Sequence, residues 1–148
     1  VININYYSVE TARNSNLKHR PIGLGMMGFQ DALYVQDIAY CSNDAVEFAD
    51  KSMELISYYA IHASTELAKE RGKYETFDGS LWSKGILPKD SIEILAENRG
   101  NEYLNVDRSE TLDWDTLRKK VISDGMRNSN VLAIAPTATI SNITIVTQ

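Results

Sequence analysis

Residues 43–71 constrain the fold most, because every local signal there specifies one long helix. Ser42 or Asn43 offers an N-cap oxygen, Asp44 and Glu47 put carboxylates near the positive end, Arg71 stands in the last turn, and Gly72 follows as the stop. Ala45, Ala49, Met53, Ile56, Ala60, Ala63 and Leu67 fall on one stripe at helical spacing, widened by Phe48, Leu55 and Tyr59. Glu47 and Lys51 add a favourable i,i+4 pair on the outer side. The small side chains on the stripe predict close packing against a sheet or a second helix.

The rest of the chain supplies candidates for that partner. Val131-Leu132-Ala133-Ile134-Ala135 is a continuous apolar run, the pattern of a strand covered on both faces. Helices leading into such a strand predict an α/β fold with parallel pairing. Val1 to Tyr7 alternates apolar and polar residues and reads as an extended strand; Glu10 to Arg20 is polar and irregular and reads as a loop closed by Pro21. A short buried helix is expected from Met26 to about Gln36, another from Asp90 to Asn98, and a third from a Thr111 or Asp113 cap to about Ser123, with Gly125 ending it. Tyr74 to Pro88 reads as a long loop pinned by Phe77, Leu81 and Trp82. With no repeat or low-complexity stretch, residues 1–148 are treated as one segment.

Composition excludes several classes of function. The 148 residues are 43% apolar, enough for one core, and 20 acidic against 15 basic residues leave a net charge of −5 without a basic run, so no nucleic-acid footprint exists. No apolar stretch approaches the roughly 20 residues that cross a bilayer, and Val1 to Tyr7 lacks the pattern of a signal peptide, so a cytoplasmic location is expected. Cys41 is the single cysteine and His19 and His62 the only histidines, so neither an internal disulfide nor a metal site is expected. Cys41 reads as a small half-buried residue, and His62 as structural or solvent-facing. The absence of an initiator methionine and the uncapped β-branched run from Ile143 lead to the expectation of an excised segment.

Two short strings compete as functional sites. Gly23-Leu24-Gly25-Met26-Met27-Gly28 fits the dinucleotide pattern G-x-G-x-x-G. Yet Leu17-Lys18-His19-Arg20-Pro21-Ile22 before it cannot form a central strand, and Asp44, about 20 positions on, sits in a helix-start signal rather than at a strand tip. The alternative is that Gly23, Gly25 and Gly28 permit tight backbone packing. The second string, Pro136-Thr137-Ala138-Thr139-Ile140-Ser141, leaves the carboxyl end of the apolar run, where ligands gather in parallel α/β sheets. Its small neighbours, hydroxyls and free backbone N–H groups suit a diphosphate, and equally suit an ordinary turn in which Thr137 or Thr139 caps the next helix. Met126-Arg127-Asn128-Ser129-Asn130 reads as a solvated turn before the strand, with substrate or subunit contacts as its other use. Asp113 and Asp115 flank Trp114 at a helix start, where the helix dipole accounts for them. No nucleophile, base and orienting group come together.

Ala12-Arg13-Asn14-Ser15-Asn16-Leu17, His19-Arg20-Pro21-Ile22-Gly23-Leu24-Gly25, Met27 through Tyr34, Met126 to Asn130 and Ala133 to Ile143 together resemble the large subunit of class I ribonucleotide reductase. The resemblance runs nearly end to end, and its order and spacing are specific. It implies part of a ten-stranded α/β barrel, here a helix-rich segment with few strands, in an enzyme that reduces ribonucleoside diphosphates to deoxyribonucleoside diphosphates through a thiyl radical. It implies that Pro136, Thr137, Ala138, Thr139, Ile140 and Ser141 form the substrate-phosphate loop, with the backbone of 137–140 donating and the Thr137 and Thr139 hydroxyls adding contacts. The family's radical and redox cysteines, its radical-path tyrosines and its allosteric sites belong to other parts of the subunit, so no catalytic residue, metal or cofactor is expected in this segment. A glycine usual in the family near Ile145 is missing here.

The implied partners are the substrate, the rest of the large subunit, a radical-generating small subunit with a metal centre, thioredoxin or glutaredoxin, ATP and deoxynucleotide effectors, and a second copy in a homo-oligomer. The competing readings are a cobalamin-dependent reductase with a similar phosphate turn, a dinucleotide-binding module built on Gly23, Gly25 and Gly28, and a non-catalytic interaction domain. A piece of a closed barrel leaves paired edges and apolar faces open, so self-association and no reductase activity are expected of the chain alone.

Overall fold

A computed structural model describes residues 1–102 and 104–144. Six helices follow one another: α1 Glu10–His19, α2 Phe29–Val35, α3 Asn43–Arg71, α4 Ser91–Arg99, α5 Trp114–Asp124 and the single turn α6 Ser141–Thr144. Short 3₁₀ turns at Trp82–Lys84 and Pro88–Asp90 shape the connection from α3 to α4. Most of the uncapped β-branched run, at 145–148, lies outside the described residues.

The signals at both ends of α3 act as expected. Ser42 stays extended while its Oγ accepts from the Ala45 N–H at 3.1 Å, and Gly72 turns the chain at φ 81°. Arg127 Nη1 donates to the Arg71 and Gly72 carbonyls at 3.0 and 2.9 Å, which satisfies acceptors that the helix leaves open at its C-terminal end. The buried face differs from the expected stripe in the second half of the helix. Ile61, Ser64, Thr65 and Ala68 are buried, whereas Ala63 and Leu67 are exposed. The 61/64/65/68 face is the one met by α5 and by Met126–Asn128, while the 63/67 edge is turned toward solvent.

The core lies between α3 and α5. Ile61, Leu117, Val121, Trp114, Tyr74, Phe77, Leu87, Met126 and Val131 form one buried cluster, with Tyr58 and Trp82 packed at its margin. Each large apolar side chain fully buried here contributes about 1.5–3 kcal/mol. Asp113 caps α5 by accepting from the Thr116 N–H at 3.0 Å. Arg118 on α5 grips Asp90 with two hydrogen bonds of 2.6 and 3.0 Å and also donates to the Gly85 carbonyl, so the loop before α4 is tied to the core. Glu54 on α3 holds the approach to α5: its carboxylate accepts from the Thr111 and Leu112 N–H groups, the Thr111 hydroxyl and, at 2.9 Å, the Trp114 indole N–H.

Several expectations are corrected. Glu10–His19 form a helix, not an irregular loop, because local signals suffice without an apolar stripe: Glu10 in the first turn, Lys18 and His19 in the last, and Arg20 as a left-handed cap whose N–H reaches the Asn16 carbonyl at 2.8 Å. Val1 to Tyr7 turns rather than extends, with the Ile4 N–H on the Val1 carbonyl, since no strand lies beside it among the described residues. The helix expected from Met26 begins only at Phe29, because Gly28 sits at φ 77°. Cys41 is exposed rather than half-buried. Met126–Asn130 is not a solvated turn: Met126 is fully buried, and Asn128 is buried in hydrogen bonds to Ser64 and Arg20.

The expected strand at Val131–Ala135 is the largest difference. Among the described residues it pairs only through one parallel bridge, Leu24 with Leu132, and Ile134 is 96% exposed. The parallel direction agrees with the α/β reading. The second face and second edge that an apolar run of this kind requires find no strand partner among the described residues, so the observed fold is helix-rich and only partly α/β.

Candidate functional site

The bridge is built by glycines. The Leu24 N–H donates to the Val131 carbonyl at 3.0 Å, the Ala133 N–H to the Leu24 carbonyl at 3.1 Å, and the Ile22 N–H to the Asn130 carbonyl at 3.0 Å. A Cβ on Gly23 would stand 2.7 Å from the Ala133 Cβ, and one on Gly25 only 2.3 Å from the Ala133 carbonyl oxygen. Gly23 and Gly25 therefore exist for backbone contact with the apolar run, and Gly28 for the left-handed turn before α2. That accounts for the G-x-G-x-x-G string without a dinucleotide, whose pyrophosphate would need the space that Ala133 fills.

The same contact positions the 136–141 turn. Gly25 also faces the backbone of Ala135, so the turn springs from a segment held by the bridge. Thr137 is buried at φ 55°, and its hydroxyl lies 3.2 Å from the Ala135 carbonyl. The buried Ser141 hydroxyl donates to the Ala138 carbonyl at 2.6 Å, and the Asn142 N–H to the Thr139 carbonyl at 3.2 Å. These bonds fold the turn back on itself and leave Pro136, Ala138, Thr139 and Ile140 on the outside. Among the described residues nothing accepts from the N–H of Ala138 or Thr139. Two outward N–H groups beside an exposed hydroxyl, in a turn without a charged side chain, can receive an oxyanion through dipoles alone.

Other groups noted in the sequence serve structure. Asp113 is held below the usual carboxylate range by its Thr116 hydrogen bonds. Glu54 is pulled down to about 2: burial opposes the ionised form, but the donors from Thr111, Trp114 and Leu112 outweigh it. Sequence reasoning missed that clamp, because its partners lie 57–60 residues away. It also missed the Ser64–Asn128 pair, although a string containing a guanidinium and two amides between apolar residues is a signal of buried pairing. Among the described residues no group of His, Cys, Asp and Glu could hold a metal, and no helix is long and apolar enough to cross a membrane.

The model of the ribonucleotide reductase barrel domain matches residues 1–148. The chain is 57% identical over 148 residues to the ribonucleoside-diphosphate reductase subunit alpha of Chlamydia muridarum, covering 100% of this chain and 14% of that protein. It is 42% identical over 152 residues to the subunit alpha of Helicobacter pylori, covering 100% of this chain and 18% of that protein. It is 42% identical over 143 residues to the large subunit of Arabidopsis thaliana, covering 97% of this chain and 16% of that protein. The chain thus spans less than a fifth of the length of these relatives.

Proposed function

The chain belongs to the ribonucleotide reductase barrel-domain family, and from that premise we propose that it supplies the substrate-phosphate turn and part of the barrel wall of a large subunit that reduces ribonucleoside diphosphates. The observation that carries this is the 136–141 turn, with its outward N–H groups at Ala138 and Thr139 and its anchorage through Leu24, Gly25 and Ala133. Pro136 and the buried Thr137 and Ser141 shape the turn. Ala138, Thr139 and Ile140 face the diphosphate, and the Thr139 hydroxyl adds a further donor. A diphosphate held by neutral dipoles keeps its charge while the ribose is placed for radical chemistry performed by residues elsewhere in the subunit. The names of the relatives give no support to a cobalamin-dependent reductase.

The working enzyme on this reading also comprises the rest of the large subunit, commonly as a homo-oligomer, with ATP and deoxynucleotides as effectors. A small subunit with a metal centre supplies the radical, and thioredoxin or glutaredoxin returns the reducing equivalents, in the cytoplasm. The direct test is a chimera in which this segment replaces its counterpart in the Chlamydia muridarum subunit alpha. Assayed for CDP reduction with that enzyme's small subunit and dithiothreitol, it should retain at least about a tenth of the parent rate, a loss no larger than ~1.4 kcal/mol. A folded chimera without turnover would overturn the reading.

A further inference from the structure

A cavity of about 260 Å³ opens between the first residues of the chain, the Arg20 cap of α1, and the C-terminal end of α3. Arg20, Arg71, Arg127 and Asn128 line it, with Ile2 and Leu67 as apolar wall. Three guanidiniums therefore share one small space. Arg127 is engaged by the Arg71 and Gly72 carbonyls, which are neutral acceptors. Arg71 has Glu70 at 3.1 Å on its exposed side. Arg20 has no carboxylate: its Nε is buried and meets no acceptor among the described residues. Burial, and then the nearby positive charges of Arg20 and Arg71, pull Arg127 below the ordinary guanidinium range.

Such an arrangement is unfavourable as it stands. A buried donor without an acceptor loses its water contacts and gains nothing in return, and like charges in a partly dry cavity repel. It is nonetheless rigidly built. Asn128, 6% exposed, donates through Nδ2 to the Arg20 carbonyl at 2.8 Å while Ser64 holds its Oδ1 and its N–H, so the backbone carrying Arg20 is fixed to α3. Arg127 is fixed to the end of the same helix. Forks of planar donors held in place and lacking a counter-charge are the chemistry of oxyanion recognition, and guanidinium matches phosphate in two-point geometry.

We propose that the Arg20–Arg71–Arg127 cavity is an oxyanion site that takes a phosphate group, separate from the 136–141 turn. The anion accepts from the Arg20 guanidinium where it lines the cavity and from the free edges of Arg71 and Arg127, replacing mutual repulsion with charge-assisted bonds. The turn and the cavity are distinguishable because one uses backbone dipoles and the other guanidinium groups.

The experiment measures Tm of the chain, and of the Arg20→Gln, Arg71→Gln and Thr139→Pro variants, in sodium chloride and in 20 mM sodium phosphate at about pH 7 and matched ionic strength. Phosphorus NMR line width reports binding directly. In chloride, R20Q should be as stable as the parent or more so, because the Arg20 guanidinium makes no hydrogen bond or ion pair among the described residues. In phosphate, the parent and T139P should rise together by several degrees, while R20Q and R71Q should lose most of the rise and of the line broadening. Sodium acetate in place of phosphate identifies the source: an equal rise there overturns a phosphate site in favour of a protein carboxylate. The proposal is also overturned if the parent shows no phosphate-specific rise, or if R20Q keeps it. A rise abolished only in T139P would assign the anion to the turn instead.

Discussion

Gly25→Ala tests whether the glycine string is a packing device. The added Cβ would lie 2.3 Å from the Ala133 carbonyl oxygen, with Ala133 C at 3.5 Å and Ala135 N at 3.7 Å. The obstacle is backbone, so no side chain can swing away. Relief requires the two segments to part by on the order of 1 Å, since close-packed interiors leave no spare room. That movement breaks the Leu24 N–H bond to Val131 and the Ala133 N–H bond to Leu24, now 3.0 and 3.1 Å. Two such bonds contribute about 1 kcal/mol each, and overpacking adds about 1–3 kcal/mol. The expected loss is about 3–5 kcal/mol, or roughly 6–20 °C in Tm for a chain of this size. Gly79→Ala is the control, because Gly79 sits at φ 85° with nothing within 4 Å of the added carbon; it should cost only about 1 kcal/mol. Urea unfolding followed by tryptophan fluorescence gives both values. If Gly25→Ala costs no more than Gly79→Ala, the packing account of the motif is wrong, and stabilisation of the parent by NAD would revive the dinucleotide reading.

Other outcomes are expected from the same contacts. Glu54→Gln should destabilise by about 1–3 kcal/mol at pH 7, since a carboxylate receiving several N–H bonds is replaced by a weaker acceptor. Because the folded pKa of about 2 lies below the unfolded value of 4.5, the Glu54 contribution is fully present above pH 4.5 and is lost as the pH falls toward 2. The gap between the Glu54→Gln variant and the parent should therefore narrow in urea titrations from pH 6 to pH 2.5, and a constant gap would count against the clamp. Asn128→Ala should cost about 2–3 kcal/mol, measured by the urea midpoint, because Ser64 and the Arg20 carbonyl lose their buried partner. The chain alone should self-associate at micromolar concentration in sedimentation velocity, given the exposed Tyr34, Val35, Tyr59 and Ile134; a single monomer peak would contradict that.

How much the sequence disclosed depended on the range of the forces involved. α3 was legible to the residue because Ser42, Asp44, Arg71 and Gly72 act within one helical turn. α1 was missed because Glu10, Lys18 and His19 support a helix without the apolar stripe that betrays one. Which face of α3 is buried was only half legible: Ala45 was placed correctly, but the choice of Ile61 and Ser64 over Ala63 and Leu67 is made by α5 and Asn128, far away in sequence. Val131–Ala135 announced an apolar run, yet among the described residues its pairing reaches only Leu24. Of the candidate site, the location and the hydroxyl-rich character of 136–141 were readable from the letters. The left-handed Thr137 and the outward N–H groups were not, since they follow from the bonds to Ala135, Ala138 and Thr139.

The phosphate turn is tested most directly at Thr139, in the chimeric subunit turning over CDP. Thr139→Pro removes one N–H that has no acceptor among the described residues, and Thr139→Ala keeps that N–H while removing the hydroxyl. The proline variant should lose about tenfold or more in kcat/KM, the ~1.4 kcal/mol scale of one charge-assisted contact, with the alanine variant within about threefold of the parent and both retaining the parent Tm. Parent-like kcat/KM in the proline variant would show that 136–141 is only a barrel connection and that the substrate's phosphates are held elsewhere.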